Sequence, residues 1–296
     1  MTTVRSVLVV GGSGQVGTAL LAEASRRGIA ATGTFHAHAR PGLVPWDGTL
    51  DAFDALVARV QAGLVVYAAG VAHVDRCETE ASECERWNAE VPGALARRCA
   101  PGRRFVYFST DYVFDGAGGP YGEDDPVGPI SAYARSKLAG ERAVLDADPT
   151  ALVVRTTGVY GPEPQGKNFV AQLRARLGRG ERMRVPQDQV STPTYNVDLA
   201  ARTLQLVLGG RSGVWHVAGP DVLDRYAFAR LAATAFGHDA GLLEPVLTPS
   251  LGQAAPRPLK GGLRTGKLAA ALGPDLMRGV HGGLASYALV ERGVPW

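Results

Sequence analysis

Lysine is scarce in this sequence. Lys137, Lys167, Lys260 and Lys267 are the only four, and arginine supplies the rest of the 31 basic residues. We read that imbalance as compositional bias, which makes each lysine more informative. The net charge is only +3 and no dense basic cluster occurs, so a dedicated nucleic-acid binder is not expected. The three cysteines (Cys77, Cys84, Cys99) are odd in number and form no CxxC. That argues against a disulfide framework or zinc knuckle and fits a reducing cytoplasm. The six histidines show neither HxxxH nor HExxH spacing, so no protein metal site is expected. The opening run MTTVRSVLVV leads straight into glycines. It is too short for a signal segment and far too short for a membrane span. We therefore expect a soluble, cytoplasmic chain with neither a membrane nor a nucleic acid as partner.

What is present is a globular composition. Of 296 residues, 46% are apolar and 20% charged, enough for a sizeable core in one large domain or two closely joined ones. Apolar strand-like runs alternate with helical patterns through the first half. Ser6–Val10, Ile29–Phe35, Leu64–Ala68, Arg104–Phe108 and Ala151–Arg155 read as strands. Gln15–Arg27, Asp51–Gln61, about 81–98 and Ser131–Leu145 read as helices. Continuous apolar strands linked by helices predict an α/β fold, a doubly wound parallel sheet of Rossmann type. The second half is less regular, with helices expected over Asn168–Leu177, Val197–Leu208 and Tyr226–Phe236 and a proline-rich loop over 244–262. The expected division is a dinucleotide-binding domain (1–155 and about 190–215) and a smaller C-terminal substrate-binding lobe (about 156–189 and 216–296) that closes a cleft.

The first strand ends in Gly11-Gly12-Ser13-Gly14-Gln15-Val16-Gly17. A tight turn needs glycine dihedrals, and backbone N–H groups approach a pyrophosphate closely only where no Cβ intervenes. Following a strand and opening a helix, the run has the context that a dinucleotide turn requires. The acid that would hold the ribose 2′-OH of NAD about 20 positions later is absent. The second strand ends instead in Phe35-His36-Ala37-His38-Ala39-Arg40, where Arg40, helped by His36, could face a 2′-phosphate. An exposed polar loop explains the same residues nearly as well. We expect NADPH as cofactor, with NADH possible.

Tyr133 and Lys137 stand at i and i+4, on one face of a helix. A nearby ammonium favours the phenolate, so such a tyrosine can exchange a proton near neutral pH. The fourth strand ends in Ser109-Thr110-Asp111, and ligands of open parallel sheets bind beyond the carboxyl ends of the strands. A hydroxyl there can hydrogen-bond a carbonyl oxygen as charge develops on it. The bland alternatives are a surface helix pair and a turn.

Taken together these residues resemble the extended short-chain dehydrogenase/reductase superfamily, and within it the dTDP-4-dehydrorhamnose reductase family. The resemblance also rests on Asp47-Gly48, Ala68-Ala69-Gly70, Val74 to Glu78, the run from Ser109 to Gly116, Pro120 to Pro126, Gly140-Glu141, Asn168-Phe169, Asp188-Gln189, Pro193-Thr194 and Arg257-Pro258. It implies that Tyr133 is the proton donor, that Lys137 lowers its pKa and holds the nicotinamide ribose, and that Thr110 binds the substrate carbonyl. It implies a cofactor site lined by Gly11, Gly14, Gln15, Val16, Gly17, Arg40, Asp47, Gly48, Ala68, Ala69 and Gly70. Asp111 and Asn168 would lie on the sugar side. Arg257, with Lys260, could reach a substrate pyrophosphate, and plain surface charge explains both equally well. Two departures bear on the sugar pocket: Gly158 stands where these enzymes tend to carry Trp, and Val71-Ala72-His73 stands where they favour Tyr-Thr-Ala. The expected activity is NAD(P)H-dependent reduction of a 4-keto-6-deoxy nucleotide sugar in deoxysugar biosynthesis. The alternatives are a nucleotide-sugar epimerase or dehydratase, and a non-catalytic NADP-binding regulatory subunit like the methionine adenosyltransferase β-subunit. A homodimer is left open.

Overall fold

A computed structural model describes residues 4–274 and 276–294. Along the chain it forms β1 (Ser6–Val10), α1 (Gln15–Arg26), β2 (Ala30–Phe35), β3 (Leu43–Pro45), α2 (Leu50–Val60) and β4 (Leu64–Tyr67). Then come α3 (Val74–Thr79), α4 (Ala81–Glu85), a π-helical turn (Arg86–Glu90), α5 (Val91–Cys99), β5 (Arg104–Thr110), α6 (Ala132–Ala147) and β6 (Leu152–Thr156). The remainder is β7 (Val159–Tyr160), α7 (Phe169–Leu177), β8 (Met183–Pro186), β9 (Val190–Ser191), β10 (Thr194–Tyr195), α8 (Asn196–Leu208), β11 (Gly213–His216), β12 (Leu223–Asp224), α9 (Arg225–Ala235), β13 (Leu243–Val246), α10 (Gly266–Leu272) and α11 (Val280–Glu291).

The chain divides into two compact units. The first comprises Met1–Thr110, Ser131–Arg155 and Ala200–Trp215, the second Asp111–Ile130, Thr156–Leu199 and His216–Trp296. Sequence patterning assigned 111–130 and about 190–199 to the dinucleotide domain, but their contacts are made with the second unit.

The first unit is built on a seven-stranded sheet in the order β11-β6-β5-β4-β1-β2-β3. β1 pairs in parallel with β2 on one side and β4 on the other. Strand order therefore reverses beside β1, and the loops after β1 and β4 leave the sheet at that switch point, where open α/β sheets bind ligands. Leu8, Val10, Val65, Tyr67, Phe105, Tyr107 and Val153 lie on one sheet face and pack with Phe53 and Leu56 of α2 and Leu95 of α5. Strands covered on both faces explain the unbroken apolar runs.

The second unit has its own core, in which Tyr160, Val170, Leu173, Phe228, Leu243, Leu284 and Tyr287 meet. Its short strands pair as β10 with β7, β12 with β9 and β13 with β8. The segment 244–262, expected as loop because of its prolines, thus contains most of β13, whose Leu243 is buried against the core.

The helix expected over 81–98 forms over Ala81–Cys99 and contains the π turn at Arg86–Glu90, for reasons given below. The cysteines also depart from expectation: Cys77 and Cys84 form a disulfide with their Cα atoms 5.6 Å apart, while Cys99 is free and buried. The chain breaks between α3 and α4 at Glu80, which brings together two positions that show no recognisable spacing motif. Among the described residues no helix is long and apolar enough to cross a membrane.

Candidate active site

The glycine turn leaves β1 where Gly11 adopts φ +88, and a Cβ there would lie 2.7 Å from the backbone N of Ala69. Only glycine lets the two loops at the switch point touch. A Cβ on Gly17 would stand 2.2 Å from Gly11 O, so α1 starts pressed against the turn. Gly14 differs: a Cβ there meets nothing nearer than Gly11 O at 3.5 Å. Gly14 is also the N-cap of α1 and offers no side-chain acceptor to the first turn. The side-chain amide nitrogen of Gln15, Nε2, is buried without a hydrogen-bond partner among the described residues. Open space, uncapped N–H groups and an orphaned amide at one helix start fit the pyrophosphate of a dinucleotide.

Around this turn, Arg40 donates from Nη1 to Thr18 Oγ1 at 3.0 Å, which draws the guanidinium to the side of α1. Asp47 is exposed, and its carboxylate accepts from Thr49 N (2.9 Å) and Oγ1 (2.8 Å), which hold its pKa below the ordinary value. Gly48 lies against the Trp87 ring, and Trp87 also packs on His36 (5.1 Å) and Trp46 (6.0 Å). Sequence reading missed Trp87, because an indole on a helix looks like any core residue.

The catalytic candidates sit at the end of β5 and the start of α6. Ser131 caps that helix by accepting from Ala134 N, and Glu78 accepts from Ala132 N at 2.8 Å. Tyr133 is half-buried and Lys137 buried. Lys137 Nζ donates to Phe108 O at 2.6 Å and lies 4.2 Å from the Tyr107 ring centroid. Phe108 precedes Thr110 by two residues, so the lysine ties the Tyr133 helix to the strand that carries Thr110. Burial pushes the Lys137 ammonium down to about 7, against the pull of the Glu141 carboxylate. Glu141 is engaged by Arg155 through a buried two-pronged pair at 2.8 and 2.7 Å.

The π turn supports this arrangement. Pro92 has no N–H, so neither Asn88 O (four residues back) nor Trp87 O (five back) receives a helical bond from it. Those carbonyls accept the buried hydroxyls of Tyr107 and Tyr67, each at 2.6 Å. The Asn88 side chain is fully buried. It pairs with Val71 N and O at 3.0 Å each and donates to Ser136 Oγ at 3.0 Å. One residue thereby ties the Ala68–Gly70 loop to the helix of Tyr133 and Lys137. Nothing in the spacing around Asn88 signalled this; Pro92, inside the helical pattern of about 81–98, was the available hint.

In the second unit Asp111 is buried and its Oδ2 accepts from Gly262 N at 3.1 Å. It lines a recess of ≈ 70 Å³ with Tyr112, Thr157, Gly158, Gln189, Ser191 and Arg225 among others. Asn168 does not line this recess. Its Oδ1 caps α7 through Ala171 N, and its Nδ2 donates to Gly161 O at 3.1 Å, so its amide is spent within the fold. Arg257 is half-buried, with Nη1 on Ala255 O at 3.0 Å, beside rather than among the lining residues. Gly158 has φ +53 and its Cβ direction meets Pro193 Cα at 3.3 Å. It is a strained place for any side chain, an indole included. Among the described residues no group of three or more His, Cys, Asp or Glu could hold a metal ion.

Comparison with known proteins agrees with this architecture. The chain is 39% identical over 262 residues to a Mycobacterium tuberculosis dTDP-4-dehydrorhamnose reductase, covering 85% of this chain and 82% of that protein. The crystal structure of a Clostridium acetobutylicum dTDP-4-dehydrorhamnose reductase superposes with TM-score 0.85 at 29% identity, over 97% of this chain and 99% of the other. That of the Bacillus anthracis enzyme in complex with NADP gives 0.86 at 25% identity, over the same shares. The RmlD substrate binding domain matches residues 5–278, and the chain therefore belongs to that family.

Proposed function

We propose that this protein is an NAD(P)H-dependent reductase of a 4-keto-6-deoxy nucleotide sugar, working with NADPH in preference to NADH. The observation that carries the reading is Lys137, buried on the face of α6 that bears Tyr133 and bonded to β5 two residues before Thr110. Gly11, Gly14, Gln15, Val16 and Gly17 hold the pyrophosphate, Ala68–Gly70 and Asp47-Gly48 line the rest of the cofactor site, and Arg40 meets the 2′-phosphate. When bound, the nicotinamide supplies a hydride to the ketone carbon. Tyr133 delivers the proton to the oxygen, and the Thr110 hydroxyl donates to that oxygen as charge builds on it. Lys137 sits one turn on from Tyr133, and because burial brings its ammonium to about 7, its charge responds to its surroundings near neutral pH. Asp111 takes the sugar hydroxyls. In this role the protein is cytoplasmic, and light scattering would test the homodimer that the resemblance leaves open.

The deciding experiment supplies a panel of nucleotide 4-ketosugars with NADPH or NADH. One cofactor should be oxidised for each ketone reduced, faster with NADPH. No turnover of any ketosugar, with a partner protein co-purifying, would replace the reductase by a regulatory role.

A further inference from the structure

The disulfide between Cys77 and Cys84 lies in the first unit and takes no part in the site described above. Its two ends nevertheless lead to one place. Cys77 immediately precedes Glu78, whose carboxylate accepts from the backbone N of Ala132 at 2.8 Å, at the start of α6. Cys84 stands about one helical turn before Asn88, which donates to Ser136 Oγ at 3.0 Å. Tyr133 and Lys137 occupy the same stretch of α6. The bridge thus joins the two supports on which that stretch rests. The ion pairs that cross the same corner, from Arg76 to Glu80 and Glu83, are weaker ties. All three of their side chains are 42–46% exposed, and such pairs contribute little. Both cysteines are buried, yet the segment between them is exposed from Thr79 to Ser82. A local opening of this short corner admits a thiol without unfolding the sheet. The reductase reading puts the protein in the cytoplasm, where disulfides are rare and those that occur are mostly catalytic or redox-sensing.

We propose that Cys77 and Cys84 form a thiol–disulfide switch that sets the order of the α6 start, and through it the turnover of the reductase. The reaction partner is a dithiol. One of its thiolates attacks a bridge sulfur, the Cys77–Cys84 bond breaks and a mixed disulfide forms. The second thiol of the reagent then closes the reagent's own disulfide and releases the remaining cysteine. Two electrons and two protons pass from the dithiol to the two cysteines, and the reverse exchange restores the bridge. In the closed state Glu78 and the π turn hold Ala132 and Ser136 as one frame. In the open state the two supports move independently, and Tyr133 loses its fixed position. The effect on turnover rests on the reductase reading; the effect on α6 does not.

The test equilibrates the unmutated protein with reduced or oxidised dithiothreitol, without denaturant. After an acid quench, alkylation in denaturant and mass spectrometry count the thiols. The closed state should show Cys99 alone, and the open state Cys77 and Cys84 as well. Amide hydrogen exchange, read by NMR, should quicken at Ala132 at least about tenfold on reduction and stay within about twofold at Val66 of β4. NADPH-dependent ketosugar turnover should fall roughly 3–10-fold in the open state and return on reoxidation. Cys84→Ser should match the reduced protein in both buffers, and Cys99→Ala should respond as the unmutated protein does. The proposal is overturned if the bridge resists reduction in the native protein, if Cys77 and Cys84 stay thiols in the oxidised buffer, or if Ala132 exchange is unchanged. Equal turnover in the two states overturns it as well. A protein that reduces no ketosugar in either state refutes the reductase reading instead, and Ala132 exchange then decides the switch.

Discussion

Replacing Lys137 by methionine removes a buried ammonium and keeps a side chain of similar reach. In the folded chain burial brings this group from 10.5 to about 7. At about 1.4 kcal/mol for each tenfold change in proton affinity, that corresponds to roughly 5 kcal/mol between the two extremes of pH. The unfolded chain keeps the ordinary lysine value, so between about 7 and 10.5 it binds more protons than the folded chain, and stability rises with pH. The destabilisation is nearly complete at pH 7 and has fallen by about 3 kcal/mol by pH 9.5. Higher pH is less informative, because burial raises the phenols of Tyr67 and Tyr107 above 10, and their contribution is lost as the unfolded tyrosines ionise. Urea unfolding at pH 7, 8 and 9.5, followed by tryptophan fluorescence, gives the difference between Lys137→Met and the unmutated protein. We expect the difference to move by about 3 kcal/mol in favour of the unmutated protein as pH rises. A difference that stays constant over that range would refute the argument that burial holds this amine near neutrality.

Tyr133→Phe removes only a hydroxyl, so turnover should fall by roughly 10²–10⁴-fold while NADPH affinity and melting temperature stay put; full activity on the true substrate would end its assignment as proton donor. Gly14→Ala should leave stability within about 1 kcal/mol and abolish tight cofactor binding, because its Cβ enters open space. Gly17→Ala should lower the melting temperature, because its Cβ meets Gly11 O at 2.2 Å; thermal melts with and without NADPH separate the two effects. Arg40→Glu should shift the ratio of NADPH to NADH affinity at least about tenfold toward NADH, read by fluorescence titration, and an unchanged ratio would remove Arg40 from the cofactor site.

The parts of the candidate site that stand out in the sequence are those whose chemistry is local. Gly11 to Gly17 announce themselves because a turn, a helix start and a close backbone approach constrain adjacent positions. Tyr133 and Lys137 do so because one helical turn separates them. Trp87 and Asn88 were illegible because their partners, Gly48 for the one and Val71 and Ser136 for the other, are distant along the chain, and a spatial partner leaves no mark on neighbouring residues. Asn168 is ambiguous in sequence for the opposite reason: its amide caps α7, a duty that looks the same there as ligand binding. The segment 111–130 follows β5 directly and was assigned with it, yet its partners, such as Gly262 for Asp111, lie more than a hundred residues away.

The π turn over Arg86–Glu90 places an unusual demand on heredity. Its two outer residues, Arg86 and Glu90, are exposed, and their identities are free to drift. Their number is not. An α-helix advances about 100° per residue, so losing one position would swing everything before the turn around relative to everything after it. Trp87 would leave Gly48, or Asn88 would leave Val71 and Ser136. This stretch should therefore accept many spellings across relatives and very few changes of length, a constraint carried by counting rather than by chemistry.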